Sequence, residues 1–118
     1  MPELTLGEKQ REFVRCLGLL LQFVYAHHGW AFSLSEGYVG DTDARDGDRD
    51  SPHLKGGTHD FRLALDLNLF INGIWISDGE HKAWTEIGEF WEGTHPLARW
   101  GGRFRDSNHF SFAHNGKA

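Results

Sequence analysis

One segment of the chain alternates strictly between two kinds of side chain, and it predicts a β-strand with two different faces. Every second residue of the segment 63–69 is leucine, whereas Ala64, Asp66 and Asn68 stand between the leucines. Because successive side chains of a strand point to opposite faces, the leucines share one face and Asp66 lies on the other. A carboxylate in so apolar a strand has to be paired or bound to a metal ion, since an isolated buried charge is too costly.

The histidine that precedes this strand predicts a second member of a site around Asp66. His59 stands seven residues before Asp66. That separation corresponds to a rise of about 10 Å on a helix, and an odd separation places two side chains on opposite faces of a continuous strand. We therefore expect His59 to lie in a loop or turn that leads into the strand and folds back beside Asp66.

Two further polar residues follow later in the chain. Asp106 and His109 are three residues apart, and side chains at this spacing are neighbours in a turn or a helical segment. The next residues, Phe-Ser-Phe at positions 110–112, begin a short strand. Together with His59 and Asp66, these residues supply one candidate metal site.

Two longer runs contain three of these residues, Asp66, Asp106 and His109. The first occupies residues 63–70 and reads Leu-Ala-Leu-Asp-Leu-Asn-Leu-Phe, and the second occupies residues 100–110 and reads Trp-Gly-Gly-Arg-Phe-Arg-Asp-Ser-Asn-His-Phe. With His59 they resemble the M15 family of zinc peptidases, the group of D-alanyl-D-alanine carboxypeptidases and L-alanyl-D-glutamate endopeptidases. The resemblance is closest to the small phage and prophage members. In that family a Gly usually stands three residues after the first His, where this chain has Arg62.

The resemblance implies a hedgehog/DD-peptidase-like fold and a zinc ion, Zn2+, held by His59, Asp66 and His109, with Asp106 as general base. The implied substrate is the stem peptide of bacterial peptidoglycan, and cleavage between L-Ala and D-Glu by a phage or prophage endolysin is our first hypothesis. A D-Ala-D-Ala carboxypeptidase or dipeptidase is the nearest alternative. From another class of protein, the alternative is a non-catalytic, zinc-stabilised module that binds the wall or belongs to a virion.

Five residues are candidates for binding the substrate. An Arg often binds a substrate carboxylate in the family, and Arg45, Arg62 and Arg103 are candidates for that role. The aromatic segment that ends at Tyr38 is a candidate wall of the substrate site. Trp100 begins a loop whose Gly-Gly pair allows either a close approach of the backbone to the substrate or a tight turn.

Other polar residues are weaker candidates for metal binding. His53 is a rival ligand, but the spacing of the first run is counted from His59, so we expect His53 to support the site or to pack in a loop. The acidic segment 41–50 is typical of a solvated loop and could act as a lid. It does not predict a calcium site of the EF-hand type, because Gly47 is out of register.

The remaining patterns predict two helices, two more strands and a hairpin. Thr5 and Glu8 have the spacing of a capping box, and we expect a helix from there to His28, with Gly29 as its stop. The apolar residues at helical spacing that should pack on the sheet are Phe13, Leu17, Leu20, Leu21 and Val24.

A first strand is predicted at Trp30–Leu34, and Asn72-Gly73 predicts a hairpin that returns through residues 74–76. A second helix is predicted at residues 81–92, capped by residues 77–80, with His81 exposed in its first turn. The whole pattern indicates an α+β fold. We expect a small antiparallel sheet with the helices packed on one face and the metal cleft on the other.

Length and composition limit the classes of function. From its 118 residues we expect the chain to form a single domain, residues 1–118. The formal net charge of −5 argues against a nucleic-acid partner, and no run approaches the ~20 apolar residues of a membrane span. The single cysteine, Cys16, excludes an internal disulfide and a Cys-based zinc cluster.

The first residues of the chain are acidic and polar, which is not typical of a secretory signal peptide. We therefore expect synthesis in the host cytoplasm and action at the bacterial cell wall after the membrane has been permeabilised. We also expect the protein to be a monomer.

Overall fold

The computed structural model describes residues 3–35, 58–59 and 61–118 of the chain. These residues form an α+β fold, as predicted. The elements are α1 (Leu6–Tyr25), β1 (Trp30–Leu34), β2 (Ala64–Ile71), β3 (Ile74–Trp75), α2 (Lys82–Gly93), β4 (Ala98–Trp100), a 3-10 helix (Gly101–Phe104) and β5 (His109–Phe112). The residues of our predictions that lie outside the described part are Tyr38, Arg45, His53 and the acidic segment 41–50.

The strands form one antiparallel sheet built around β2. The order is β1-β2-β5-β4, and β3 also pairs with β2. The predicted hairpin is confirmed, because β2 and β3 pair on either side of Asn72 and Gly73. Both turn residues have positive φ, 52° and 79°, as a tight two-residue hairpin requires.

Helix α1 begins as predicted and ends earlier. The Thr5 side chain accepts a hydrogen bond from the Glu8 backbone, and Glu8 accepts one from the Thr5 backbone in return. The helix ends at Tyr25 rather than His28. Gly29 follows with φ of +82°, and a Cβ atom at this position would collide with the Asn72 side chain. The glycine is therefore required where the chain turns into β1 beside the hairpin.

One prediction about the face of α1 was wrong. Leu21 is 41% exposed, whereas Cys16 is fully buried. Each residue turns a helix by 100°, so Leu21 lies a quarter-turn beyond Leu20, outside the buried face. The buried residues of α1 are Phe13, Cys16, Leu20 and Val24.

Helix α2 also begins differently from the prediction. The capping residue is His81, whose Nδ1 accepts a hydrogen bond from the Ala83 backbone at 3.0 Å. The predicted cap 77–80 instead forms a separate turn, in which Asp78 accepts a hydrogen bond from the Glu80 backbone at 2.9 Å. Because its ring nitrogen faces the helix, His81 is half-buried rather than exposed. Neither described helix combines the length and the apolar composition that a membrane span requires.

The two helices pack on one face of the sheet. On that face Phe110 and Phe112 of β5 contact Trp91 of α2 with ring centroids 5.9 and 6.0 Å apart, and Phe13 of α1 lies 5.4 Å from Phe112. Strand alternation places His109, next to Phe110, on the opposite face. The face that the helices leave open therefore carries the polar residues of the candidate site.

Candidate metal centre

The pairing of β2 with β5 sets two of the predicted ligands side by side. Asp66 and His109 are directly opposite each other in the antiparallel register, and paired residues of neighbouring strands point to the same face. His109 Nδ1 lies 3.1 Å from Asp66 Oδ1. The two ligands are thus held by backbone hydrogen bonds between strands as well as by their own contact.

The third predicted ligand comes from a turn, as the spacing required. The Leu63 backbone donates to the Thr58 carbonyl at 2.8 Å, and the Arg62 backbone donates to the His59 carbonyl at 3.0 Å. This turn brings His59 Nε2 to 3.4 Å from Asp66 Oδ1. Arg62 has φ of +58°, a region that favours glycine, which agrees with the Gly that the family usually has there.

The three side chains direct one ligand atom each at a common point. The ligand atoms of His59, Asp66 and His109 all lie within 4.8 Å of one another, and among the described residues this is the group that could hold a metal ion. Both histidines are buried, with exposures of 8% and 5%. His109 Nε2 has no hydrogen-bond partner, so the ring is oriented through its other nitrogen, which faces Asp66.

Two of the three separations between these atoms are those of ligands on a small tetrahedral ion. Ligand atoms about 2.0–2.1 Å from zinc are separated by roughly 3.3 Å at tetrahedral angles. The separations of Asp66 Oδ1 from the two ring nitrogens are 3.1 and 3.4 Å. Two imidazoles and one carboxylate are also ligands that zinc commonly binds.

The charge of Asp66 is fixed by the same contacts. Burial raises the pKa of Asp66, but the hydrogen bonds from His109 and His59 and the charges of their rings outweigh burial and hold the pKa well below its usual range. The carboxylate is therefore ionised at neutral pH and available to a cation.

Asp106 lies at the edge of this cluster in the predicted turn. Its Oδ2 is 3.8 Å from His109 Nδ1, and its side chain is 50% exposed. The backbone around it is tightly fixed, because Asp106 donates to the Gly101 carbonyl at 2.8 Å and His109 donates to the Asp106 carbonyl at 3.0 Å. Asp106 thus combines a fixed backbone position with a carboxylate that is half exposed to solvent.

The glycines before Asp106 allow close packing within the protein itself. A Cβ atom at Gly101 would overlap the Asp106 carbonyl and lie 2.6 Å from the Cβ of His109, and one at Gly102 would overlap the Trp100 ring. Of the two interpretations of this Gly-Gly pair, the structure therefore supports a tight turn. Gly101 in particular lets the 3-10 helix lie directly against the candidate ligand His109.

A cleft of about 320 Å³ opens beside Asp106. Its walls come from the hairpin, from the residues before α2 and from the turn between the 3-10 helix and β5. The lining residues are Asn68, Trp75, Ile76, Ser77, Gly79, Trp84, Arg105, Asp106, Ser107 and Asn108. Because Asn68 is two residues from Asp66 on the same strand, the cleft adjoins the cluster of ligands.

The comparison with protein families agrees with this geometry. A family model described as D-alanyl-D-alanine carboxypeptidase matches residues 46–112, more than half of the chain. The matched segment contains His59, Asp66, Asp106 and His109. The chain belongs to the M15 peptidase family. No curated protein and no solved structure matches the chain.

As an M15 peptidase, the protein is expected to bind a peptide, and the predicted substrate residues can be placed relative to the cleft. Trp100 is buried at 5% exposure and donates a hydrogen bond from its ring to the Ser107 carbonyl at 2.7 Å. Arg103 pairs with Glu92 at 2.8 Å and lies over the Trp100 ring. Arg62 is exposed in the turn after His59. None of the three lines the cleft, and their roles in binding remain predictions.

Of the residues that line the cleft, only Asp106 was predicted as a site residue, and two of the others are large, exposed side chains. Trp75 is 59% exposed on β3, and Arg105 is exposed immediately before Asp106. Arg105 lies inside the second family run, so its proximity to Asp106 was visible in the sequence. Trp75 reaches the cleft only through the pairing of β3 with β2, which local spacing does not reveal.

Proposed function

We propose that this M15 peptidase is a zinc-dependent enzyme that hydrolyses an amide bond in the stem peptide of bacterial peptidoglycan. The bond between L-Ala and D-Glu is the proposed point of cleavage, and a phage or prophage endolysin is the proposed biological role. The observation that carries the proposal is the convergence of His59, Asp66 and His109 beside the exposed carboxylate of Asp106.

His59, Asp66 and His109 would hold the zinc ion and leave a fourth position open, as in a catalytic site. When bound, zinc lowers the pKa of a water molecule and polarises a carbonyl group. Asp106 then accepts the proton of the attacking water and passes it to the leaving amine. No covalent bond between the protein and the substrate is needed.

The position of Asp106 favours an enzyme over a purely structural zinc module. A structural zinc site is closed by four protein ligands, whereas three ligand groups converge in the described part of this chain. Asp106 lines the adjoining cleft with its carboxylate half exposed. A base in that position has a use only if a substrate enters the cleft.

A D-Ala-D-Ala carboxypeptidase is the second candidate, and the description of the matching family model favours it. The two activities use the same groups and differ in the fragments they release. Purified peptidoglycan digested with the protein, analysed by mass spectrometry, distinguishes them. Release of peptides beginning with D-Glu supports the endopeptidase, and loss of the terminal D-Ala supports the carboxypeptidase.

The same preparation should be analysed for metal. We expect about one zinc ion per chain, with loss of hydrolysis on chelation and recovery on addition of zinc. An intact wall after digestion by zinc-loaded protein would contradict the proposed function.

Because peptidoglycan lies outside the cytoplasmic membrane, the proposal also covers localisation. Expression in a bacterial cytoplasm should be tolerated, and a membrane permeabiliser should then trigger lysis. A culture that lyses on expression alone would contradict this part of the proposal.

A further inference from the structure

Trp75 differs from the other tryptophans of the chain in being exposed. Its exposed fraction is 59%, whereas Trp30 is half-buried and the three others are buried, namely Trp84, Trp91 and Trp100. Each buried tryptophan donates a hydrogen bond from its ring to a backbone carbonyl. Within residues 3–35, 58–59 and 61–118, the Trp75 ring makes no hydrogen bond and no contact with another aromatic ring. More than half of the surface of Trp75 therefore remains open to a ligand.

The pairing of β3 with β2 places Trp75 on the face of the sheet that carries the candidate metal centre. Trp75 is directly opposite Phe70, and paired residues of neighbouring strands point to the same face. Phe70 follows Asp66 by four residues, so both side chains lie on one face of β2. At about 3.4 Å per residue, the two positions are roughly 14 Å apart along the strand. Trp75 also lines the same cleft as Asp106.

Neutral polar groups surround the exposed ring in this cleft. Apart from Arg105 and Asp106 the lining residues are uncharged, and they include two asparagines and two serines. The carboxamides of Asn68 and Asn108 are half-buried and make no hydrogen bond within the part of the chain that the structure describes. Each carboxamide has two N–H donors and one acceptor oxygen. The cleft thus combines an open aromatic face with unpaired groups that can both donate and accept hydrogen bonds.

This combination matches the chemistry of an N-acetylated amino sugar. One face of a pyranose ring carries C–H groups, which pack on the electron-rich face of an indole ring. The rim of the sugar carries hydroxyl groups, and its acetamido substituent has one N–H donor and one acceptor oxygen, which a carboxamide can satisfy in both directions. Neither part of such a sugar requires a charged partner.

The size of the cleft relates the sugar to the point of cleavage. Its volume of about 320 Å³ is at the lower end of ligand pockets, about 300–1,000 Å³, so ligand groups beside Trp75 and Asp106 are close together. In peptidoglycan the first stem residue, L-Ala, is joined through a lactyl group to an N-acetylated amino sugar. Two extended units, about 7 Å, separate this sugar from the bond after L-Ala, whereas five units, about 17 Å, separate it from the D-Ala-D-Ala bond. The small cleft therefore fits cleavage next to L-Ala.

We propose that Trp75 forms a subsite for the N-acetylated amino sugar that carries the stem peptide, with the sugar stacked on the indole ring. This inference rests on the proposed function and extends its substrate from the peptide alone to the glycan-linked peptide. Asn68 and Asn108 bind the polar rim of the sugar, and the peptide continues from Trp75 toward Asp106. The subsite thus selects stem peptides that are still attached to the wall.

Three matched peptides test the subsite with the zinc-loaded full chain. The first carries only the lactyl group on its L-Ala, the second carries the amino sugar on that lactyl group, and the third carries in addition the neighbouring N-acetylglucosamine. The second should have a kcat/KM roughly 10-fold above that of the first, mainly through a lower KM, because the stacked ring adds binding. A gain that appears only with the third would contradict the proposal and place the neighbouring sugar on Trp75.

The decisive variants are Trp75→Ala and Trp75→Phe. Trp75→Ala should lower kcat/KM for the sugar-linked peptide roughly 10-fold, to the value for the lactyl peptide, and leave the latter value unchanged. Trp75→Phe should keep most of the preference, since it retains an aromatic face. Zinc content should be equal in all variants. If Trp75→Ala slows both peptides equally, Trp75 only supports the hairpin and the proposal is wrong.

The matched control is Ile74→Ala. Ile74 is the other residue of β3 and is 67% exposed, but it does not line the cleft. This variant removes an exposed apolar side chain from the same strand and should keep the preference for the sugar-linked peptide. Loss of the preference in Ile74→Ala would show that the hairpin as a whole, and not the Trp75 ring, is responsible.

Binding without hydrolysis separates this inference from the proposed function. The ligands are lactyl-L-alanine with and without the amino sugar, and both lack the bond proposed for cleavage. Because Trp75 is the most exposed of the five tryptophans, acrylamide quenching of tryptophan fluorescence reports mainly on its ring. The sugar-linked ligand should reduce the quenching of the parent, and the ligand without the sugar should not. Trp75→Phe should lose this protection.

The two proposals fail in different ways. If the parent hydrolyses the wall, but both peptides are cleaved alike and neither ligand reduces quenching, the inference about Trp75 is wrong and the proposed function stands. If no peptide is hydrolysed, yet the sugar-linked ligand reduces quenching and calorimetry shows weaker binding to Trp75→Ala, the sugar subsite stands and the proposed function fails.

Discussion

His59 and His109 face the same carboxylate from two differently built parts of the molecule. His109 belongs to β5, where it is registered against Asp66 and backed by Gly101. His59 belongs to a short turn that continues into β2 through Arg62, a residue with positive φ. The comparison shows that the sheet fixes one half of the candidate metal centre, whereas local turn contacts fix the other.

The turn that carries His59 is supported by three described residues from outside its own segment, apart from the candidate ligands. Phe112 of β5 donates a backbone hydrogen bond to the Leu63 carbonyl at 2.9 Å, and the His114 ring lies 4.6 Å from the Phe61 ring. Gln10 of α1 donates a hydrogen bond from its side chain to the Phe61 carbonyl at 2.8 Å. The half of the site that contains His109 is held differently, by the pairing of β5 with β2 and by the hydrogen bonds of Asp106 with Gly101 and His109. We therefore expect substitutions in the two halves to have effects of different size on zinc binding.

The largest effect is expected when a ligand is removed. His59→Ala, Asp66→Ala and His109→Ala should each abolish hydrolysis and lower zinc content from about one ion per chain to near zero. The control is His53→Ala, which should keep both zinc and activity. Loss of zinc in His53→Ala together with its retention in His59→Ala would show that the register adopted for the first ligand is wrong.

The next effect concerns the proposed base. Asp106→Asn preserves size and hydrogen bonding but removes proton acceptance, so the rate should fall roughly 10²- to 10⁴-fold. Zinc content and Tm should match the parent, because the carboxylate is half exposed and outside the apolar face of the sheet. A variant without zinc would make Asp106 a ligand, and one with full activity would remove the support for a general base.

A smaller effect is expected when the close packing of Gly101 against His109 is disturbed. Gly101→Ala places a methyl group against the Asp106 carbonyl and the His109 side chain, and overpacking of this kind costs about 1–3 kcal/mol. Chemical denaturation measures the stability, and titration with zinc should show weaker binding than in the parent.

The matched control for Gly101→Ala is Gly18→Ala. Gly18 lies inside α1 with open space around a Cβ atom, so alanine there should stabilise the protein by about 0.5–1 kcal/mol. Equal effects at the two glycines would contradict the close packing under His109.

The smallest effect is expected on the side of His59. Gln10→Ala removes the hydrogen bond to the Phe61 carbonyl and should cost about 1 kcal/mol, equivalent to roughly a fivefold weaker zinc affinity if the loss falls on the turn. Arg11→Ala, one position further along α1, serves as the control. A loss of zinc affinity as large as that of Gly101→Ala would mean that the two halves of the site depend equally on their surroundings.

The sequence predicted those parts of the molecule whose cause is local. The leucine alternation places Asp66 on the open face, the odd spacing places His59 in a turn, and the Asn-Gly pair forms the hairpin. The resemblance to the family places Asp66 and His109 in one site. No local pattern in the sequence brings these two residues together. The fold and the candidate ligands were therefore accessible from the chain alone.

Most of the errors and omissions arise where distant segments decide the outcome, and one arises from a local cap. Leu21 has the spacing of a buried helix residue, but the buried face of α1 is narrower than that spacing predicts. His81 rather than the preceding turn caps α2, because an imidazole nitrogen can accept the same hydrogen bond as the oxygen of a usual cap. The cleft position of Trp75 and the contact of Gln10 with Phe61 depend on tertiary packing.

The separation of 43 residues between Asp66 and His109 also has a consequence for synthesis. Helix α1 and the hairpin have local contacts and form quickly, whereas strand pairing across a long loop has to overcome the entropy of closing it. A growing chain thus carries His59 and Asp66 well before the ribosome supplies His109. If His109 is a metal ligand, as proposed, the complete site forms only when β5 has paired with β2.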